Sequence, residues 1–287
     1  GRQSTLGESS GMTIITRSAF AAFLAALLPS AASAQSALTA LDKASVSLRL
    51  ALPNVNTEVR ADGANNTGTP IDFKRDLGLD GSNVVAFIGG TWRPWDNHEF
   101  ALSIYNDSDA AKRELDREIV FDGVTYAVNS TVKAERKLRT YDLSYTWWAA
   151  NHENWALGPR VGVVYYNWDV KLDMTLDANG NPVADGAVSA EVSPSLQAPS
   201  IGAGWRWIPA DDWRLKVDAG YFNAEFNNID TGVSYINAGV EWFPREQWGV
   251  SLNITSQNID VSAAKLDFSG DLDFRQTNAS IGVIYRF

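Results

Sequence analysis

Apolar and polar residues alternate along ten segments of the chain, which is typical of β-strands that present two different faces. In the last segment, 279–287, the apolar face runs from Ala279 to Phe287 and the opposite face includes Ser280 and Arg286. Comparable alternation occupies segments 45–52, 99–105, 141–147, 155–165, 200–207, 213–221, 236–242 and 248–255. In segment 83–94 the two faces compete, because Val85 and Phe87 oppose an equally apolar set that includes Ile88. The pattern predicts an all-β protein with ten antiparallel strands, with eight strands as the alternative.

Short polar breaks surrounded by tryptophan separate several of these segments. All but one of the eleven tryptophans fall in four clusters, Trp168 being the exception: Trp92 and Trp95; Trp147, Trp148 and Trp155; Trp205, Trp207 and Trp213; Trp242 and Trp248. Tryptophan prefers the membrane interface, where its ring meets hydrocarbon and its N–H stays near water. The clusters therefore predict an aromatic girdle around a single transmembrane up-and-down β-barrel. A soluble β-sandwich with buried tryptophans is the alternative.

The strand number orients this predicted barrel. An even number returns both ends of the chain to the side of the tight turns, which is the periplasm in bacterial barrels. The long connections are then extracellular, and five are expected, at residues 55–81, 108–137, 169–196, 225–231 and 258–274.

The amino-terminal region has the pattern of a secretory signal peptide. Arg17 precedes an apolar run over 19–28, and small residues lead to an expected cleavage after Ala34. The run of about ten residues is too short for a membrane helix, which needs about 20. We therefore assign 12–34 to a signal peptide, 35–287 to the barrel, and 1–11 to upstream or expression-derived sequence.

Charge and composition argue against several classes of function and site. The formal net charge of −10 disfavours nucleic-acid binding, and the absence of cysteine excludes disulfides and thiolate metal sites. No later apolar run has the length of a membrane helix, so a membrane-embedded mature protein must be a closed barrel.

The predicted inward faces collect charges of both signs. The expected lumen charges are Arg49, Glu99, Asp142, Arg160, Arg206, Arg214, Lys216, Asp218, Glu241 and Arg286. Unpaired charges in a confined space are costly, so we expect these residues to pair into a plug. A selectivity filter for an ionic solute is the alternative, although barrels this small are usually filled by side chains.

Apolar parity switches where the strands enter the long connections. If the strands continue without a bulge, several apolar side chains point inward above the membrane and form a candidate apolar cup: Leu172, Met174, Val188, Val192, Leu272 and Phe274. Such a cup could receive a lipid or a small hydrophobic ligand. The alternatives are an apolar core inside strand extensions that stand in water, or a β-bulge that resets the phase.

Catalytic chemistry has little support in the sequence. The only histidines, His98 and His152, lie in predicted periplasmic turns without a neighbouring serine at suggestive spacing. We therefore predict a protein that is not an enzyme, with no catalytic, cofactor or metal site.

The signal peptide, the alternating strands, the Trp-ringed turns and the terminal Tyr285-Arg-Phe287 resemble small Gram-negative outer-membrane barrels of the OmpA, OmpX and OmpW type. The resemblance implies location in the bacterial outer membrane and contact with its lipids and lipopolysaccharide. It also implies that the barrel-assembly machinery recognises the last strand through Tyr285 and Phe287. The expected function is a structural or surface-interaction role with a charge-plugged lumen, and the alternative is a narrow channel or transporter for small or hydrophobic solutes.

Overall fold

The computed structural model describes residues 38–79, 83–226, 229–264 and 269–287. The predicted signal peptide and the residues before it lie outside this part of the chain. Within the described part, no helix has the length and apolar character needed to cross a membrane.

The described residues form fifteen strands and one short helix. In chain order they are β1 (Ala44–Ala61), β2 (Ile71–Asp72), α1 (Phe73–Leu77), β3 (Val85–Trp95), β4 (His98–Glu114), β5 (Ile119–Phe121), β6 (Val124–Tyr126), β7 (Thr131–Trp147), β8 (Ala150–Asn151), β9 (Trp155–Leu176), β10 (Ser189–Val192), β11 (Ser195–Ala210), β12 (Trp213–Phe226), β13 (Ile229–Trp242), β14 (Trp248–Ala264) and β15 (Ser269–Arg286).

Ten of these strands close into an antiparallel barrel. Their order around the wall is β1-β3-β4-β7-β9-β11-β12-β13-β14-β15, and β15 pairs back onto β1 from Ser45 opposite Arg286 to Ala61 opposite Gly270. The ten-strand prediction is therefore confirmed over the eight-strand alternative. Closure leaves no unpaired edge among these strands, as a membrane-spanning sheet requires.

The ambiguous second strand is resolved by its register with β1. Val84, Ile88 and Trp92 are exposed on the outside of the barrel, whereas Val85 is buried inside. Phe87 also lies on the inner side, where its ring packs 4.4 Å from that of Tyr105. Both faces of this strand are apolar because its inner face belongs to the core, so alternation alone could not phase it.

The strands extend much further at the outer end than predicted. β14 and β15 stay paired up to Ala264 opposite Ser269, so most of the expected connection 258–274 is strand, and β4 and β7 likewise pair up to Glu114 opposite Thr131. Beyond the lipid zone the outward residues become polar and the inward residues apolar. The strands continue through this inversion, which explains why the lipid-facing pattern underestimated their length.

Most of the tryptophans line the outside near the short turns, as a girdle requires. Trp213 and Trp242 stack with ring centroids 6.1 Å apart, and Trp248 packs edge-on 4.9 Å from Tyr285. Trp148 is the exception to the predicted girdle, because it is 0% exposed and lies among buried residues at the periplasmic end. It directly follows β7, where the chain turns inward.

Candidate functional site in the barrel lumen

A network of ion pairs occupies the periplasmic end of the lumen. Arg214 lies 2.7 Å from Asp42 and 2.8 Å from Glu241, and Lys216 lies 2.7 Å from the other oxygen of Glu241. Arg286 completes the network at 3.2 Å from Asp42. Four of the predicted lumen charges therefore belong to one network, which Asp42 joins through Arg214 and Arg286. Asp42 is not among the lumen charges predicted from the sequence.

Asp42 belongs to a short amino-terminal segment, residues 38–43, that is held inside this end of the barrel. Arg214 donates to the carbonyl oxygen of Thr39 at 3.3 Å, and Arg93 donates to those of Leu41 and Asp42 at 3.4 and 3.0 Å. Ala40 and Leu41 are buried against Trp148 and Ala156. We name this segment, with the ion-pair network around Asp42, the periplasmic closure.

A second network lies on the same inner face, further from the turns. Arg206 makes a two-pronged contact with Asp218 at 2.9 and 3.2 Å, and Arg160 approaches the same carboxylate at 4.0 Å. The Arg206 guanidinium also lies 5.1 Å from the centre of the Trp148 ring. Bidentate geometry and low exposure make this a strong structural contact.

A polar chamber of about 210 Å³ lies within the barrel, and we call it the lumen chamber. Arg49, Glu99 and Asp142 line it without an ion pair to any described residue. Arg49 instead places its guanidinium 5.5 Å from the centre of the Phe87 ring. A polar space of this size can hold several water molecules.

An aromatic layer crosses the lumen on the outer side of the chamber. Trp168 on β9 packs edge-on against Phe274 on β15, with ring centroids 5.1 Å apart. These two strands are five positions apart in either direction around the ten-strand wall, so the contact joins opposite sides of the barrel. Two further cross-lumen hydrogen bonds reinforce the layer, from Gln257 to Tyr166 and from Tyr105 to Gln276.

An apolar core, which we name the outer closure, fills the extracellular end. Phe73 and Leu77 of α1 are buried there with Phe121 and Tyr126 of the β5–β6 hairpin, against the walls of β1, β7 and β9. The Tyr126 hydroxyl donates to the carbonyl oxygen of Leu172 at 2.9 Å. Loops from two connections therefore cover this end of the lumen.

The residues of the predicted apolar cup lie in these two layers. Leu172 and Met174 are buried in the outer closure, and Val188, Val192 and Leu272 are partly buried against it. Phe274 belongs to the aromatic layer. β9 pairs with β7 without a bulge from Arg160 opposite Thr146 to Met174 opposite Val132, and the register shifts only beyond that pair, where Leu176 lies opposite Thr131. Loop side chains occupy the space between the walls.

A cluster of charged residues around Asp76 connects the loops that form the outer closure. The Asp76 carboxylate accepts hydrogen bonds from Arg117 at 2.6 Å, from Arg75 at 3.0 Å and from the Asp72 backbone at 2.9 Å. Burial alone would raise the pKa of this carboxyl, but these hydrogen bonds outweigh it and lower the pKa to about 2. Arg117 also donates to the carbonyl oxygen of Pro70 at 2.6 Å, so the cluster ties the first extracellular connection to the second.

This cluster predicts an acid-sensitive loop. Because the Asp76 pKa is lower in the folded protein than the value of about 3.9 for a free aspartate, its stabilisation is present above about pH 4 and is lost as the pH falls through about 2. Asp76→Asn should reproduce the loss at neutral pH and weaken local protection of α1 by about 1–2 kcal/mol. Hydrogen exchange of residues 71–79 measures it. Asp116→Asn, at an 85% exposed carboxylate, is the matched control, and equal exchange in both variants would contradict the prediction.

The histidines occupy the turn region, as expected. His98 lies 2.6 Å from the Tyr145 hydroxyl through Nδ1, and His152 packs against Trp155 with ring centroids 4.5 Å apart. Among the described residues, no group of three or more acidic or histidine side chains is arranged to hold a metal ion.

Comparison with known proteins identifies the fold. Neither a protein-family model nor a characterised protein sequence matches the chain. Among solved structures, the outer-membrane protease OmpT from Escherichia coli matches with a TM-score of 0.56 at 11% identity, over 89% of this chain and 100% of OmpT. Neisserial surface protein A matches with a TM-score of 0.33 at 11% identity, over 85% of this chain and 97% of that protein. The toluene transporter TodX of Pseudomonas putida matches with a TM-score of 0.34 at 7% identity, over 86% and 90%.

The likeness to OmpT shows the fold: this chain is a closed antiparallel β-barrel of the kind seen in that outer-membrane protein. The resemblance to small Gram-negative barrels is thereby confirmed as architecture.

Proposed function

We propose that this protein is a non-conducting outer-membrane barrel with a structural or surface-interaction role and no enzymatic activity. The observation that carries the proposal is the contact between Trp168 and Phe274, which joins opposite walls across the lumen. The periplasmic closure lies on one side of this layer and the outer closure on the other. A solute crossing the barrel would have to displace all three.

The distribution of charge supports a plug. Seven of the predicted lumen charges take part in the two ion-pair networks: Arg160, Arg206, Arg214, Lys216, Asp218, Glu241 and Arg286. Pairing of this kind offsets the free-energy cost of removing each charge from water. An open, water-filled filter for ions would not need such pairing, because its charges would stay hydrated. The absence of enzymatic activity is supported by the position of both histidines at the turns.

The proposed partners follow from the outer surface. Leu50, Ile201 and Ile281 belong to an exposed apolar belt that suits lipid chains, and the strand extensions above it would meet lipopolysaccharide. Tyr285 packs 4.8 Å from Phe287 at the end of the closing strand, which is the segment proposed to engage the barrel-assembly machinery.

A narrow channel or transporter is the second candidate, and the lumen chamber favours it. The chamber contains unpaired charges and lies between the periplasmic closure and the outer closure. A transporter could bind a solute in such a chamber and open the two closures in turn. This function requires both closures to move.

Planar-bilayer recording distinguishes the two functions. We expect the refolded barrel to show negligible conductance, and Arg160→Gln or Glu241→Gln to leave it negligible. A variant with Asp42, Trp168, Phe274 and Leu77 all replaced by serine should conduct and serves as the positive control. Reproducible single-channel steps in the unmodified protein would refute the non-conducting role.

A further inference from the structure

A groove on the outer surface of the barrel combines a polar pair with an apolar floor. It measures about 270 Å³ and is lined by His98 of β4, Tyr145 and Trp147 of β7, and Pro159 and Val161 of β9. His98 and Trp147 lie opposite each other at the ends of their strands next to the short turns. Tyr145 lies two residues further into the lipid-facing band. The groove therefore begins in the aromatic girdle and runs into the apolar belt.

His98 and Tyr145 form the polar pair. Nδ1 of His98 lies 2.6 Å from the Tyr145 hydroxyl, and the two rings stack with centroids 5.9 Å apart. Trp95 packs edge-on against His98 with ring centroids 5.8 Å apart, which holds the imidazole in place. The second ring nitrogen of His98, Nε2, has no hydrogen-bond partner among the described residues.

The hydrogen bond to Tyr145 determines the chemistry of Nε2. If the hydroxyl donates to Nδ1, the neutral imidazole carries its hydrogen on Nε2, and a protonated imidazole carries hydrogen on both nitrogens. Only the form with hydrogen on Nδ1 alone leaves Nε2 without one. In that form the Tyr145 hydroxyl would need another acceptor, which no described residue supplies, and an unsatisfied polar group facing lipid is costly. Nε2 therefore presents an N–H donor at the membrane interface.

The charges beside the groove favour a particular headgroup. Asp96 of the adjoining turn is 100% exposed, whereas Arg93 of the same turn is 14% exposed and donates to the backbone of the periplasmic closure. Glu153, between β7 and β9, is also exposed. Lys43 is an exposed cation, but it precedes β1, which lies two positions from β4 around the wall. Exposed carboxylates next to the groove disfavour an anionic headgroup and favour one that combines a phosphate with an ammonium group.

We propose that this groove binds a zwitterionic glycerophospholipid of the periplasmic leaflet. Its phosphate accepts a hydrogen bond from Nε2 of His98, its ammonium group is directed toward Asp96, and one acyl chain lies along Pro159 and Val161. Hydrogen bonds to a charged phosphate are stronger than those between neutral groups, so His98 supplies selectivity that an aromatic girdle alone lacks. The inference rests on the proposed outer-membrane location but not on the state of the lumen.

Histidine spectroscopy tests the proposal, because the chain has only two histidines, His98 and His152. The mature chain is isotope-labelled at histidine nitrogen, refolded in dodecyl maltoside, which contains no phosphate, and titrated with dioleoylphosphatidylethanolamine. We expect the imidazole signals of His98 to show hydrogen on Nε2 before lipid is added and to shift as lipid binds. The signals of His152 should stay unchanged.

Two further lipids separate the headgroup from the chains. Dioleoylglycerol has the same chains without phosphate or ammonium, and dioleoylphosphatidylglycerol has the phosphate without the ammonium. Each should bind at His98 about tenfold or more weakly than dioleoylphosphatidylethanolamine.

Variants locate the site. His98→Phe keeps an aromatic ring but removes the Nε2 donor, and it should lower the affinity for dioleoylphosphatidylethanolamine about tenfold or more, measured by native mass spectrometry of the lipid-bound barrel. His152→Phe is the matched control, because its exposed imidazole packs on Trp155 outside the groove, and it should leave the affinity unchanged. Folding of each variant is checked by heat-modifiable mobility.

Four outcomes would overturn the proposal. Equal affinity for dioleoylglycerol would mean that the groove takes only an acyl chain, and equal affinity for dioleoylphosphatidylglycerol would mean that the ammonium group is not recognised. Hydrogen on Nδ1 alone, or unchanged affinity in His98→Phe, would remove the role of His98. Conductance is not a readout in these experiments, so failure of this inference is distinguishable from failure of the proposed function.

Discussion

Replacing Arg136 with methionine should lower the free energy of unfolding of the barrel by about 3–5 kcal/mol. Arg136 is 2% exposed and lies on the inner face of β7, with its Nη2 2.5 Å from the Asp107 carboxylate. Among the described residues, Asp107 has no other ion-pair partner. The substitution therefore leaves a buried carboxylate uncompensated. Denaturant titration of the detergent-solubilised barrel, followed by tryptophan fluorescence, measures the loss.

Two further variants test whether the loss of stability comes from the Arg136–Asp107 ion pair itself. Arg139→Met removes a half-exposed arginine three residues away, 3.6 Å from Asp169, and should change stability by less than about 1 kcal/mol. Asp107→Leu combined with Arg136→Met should recover most of the loss, because neither charge then remains buried. A loss below about 1 kcal/mol in Arg136→Met would contradict the predicted role of this pair.

Trp168→Ala should lower the free energy of unfolding by about 3–5 kcal/mol while the barrel stays non-conducting. Trp168 is 2% exposed in the aromatic layer, so truncation opens a cavity that the rigid walls cannot collapse. The outer closure lies above this layer and should continue to block the lumen. Denaturant titration and bilayer recording on the same preparation test both parts.

Coupling to Phe274 and an exterior control sharpen this prediction. A double-mutant cycle with Phe274→Ala should give a coupling of about 0.5–1.5 kcal/mol, which is the range for an aromatic pair. Trp92→Ala, on the outer surface and 61% exposed, should cause a smaller loss than Trp168→Ala. Channel activity in Trp168→Ala would show that the aromatic layer alone closes the barrel.

The membrane-spanning wall was predictable from the sequence because it follows local rules. The alternation along residues 45–52 and 279–287 reappears as paired strands, with Leu50 opposite Ile281 and Arg49 opposite Gly282. The number of strands and the position of the turns followed from the same alternation and from tryptophan. These features depend on neighbours in the chain.

The contents of the lumen were not predictable in the same way, because they depend on contacts across the barrel. The partner of Arg214 is Asp42, which lies before the first strand and carries no signal of its own. Arg136 and Lys137 are adjacent charges, and only the register shows which of them points inward. The sequence places Trp148 in the girdle because it adjoins Trp147. In the structure Trp147 is exposed on the outside, whereas Trp148, the next residue, is buried inside the barrel.

The length of the strands has a consequence for what the cell surface presents. At about 3.3 Å per residue and a tilt near 40°, the 22 residues of β9 rise about 55 Å, whereas the lipid-facing band of such barrels is about 25 Å tall. About half of that wall therefore extends as a rigid β-sheet beyond the lipid-facing band. An antibody or a bacteriophage would contact the outer end of this extension, whereas the apolar belt is covered by lipid.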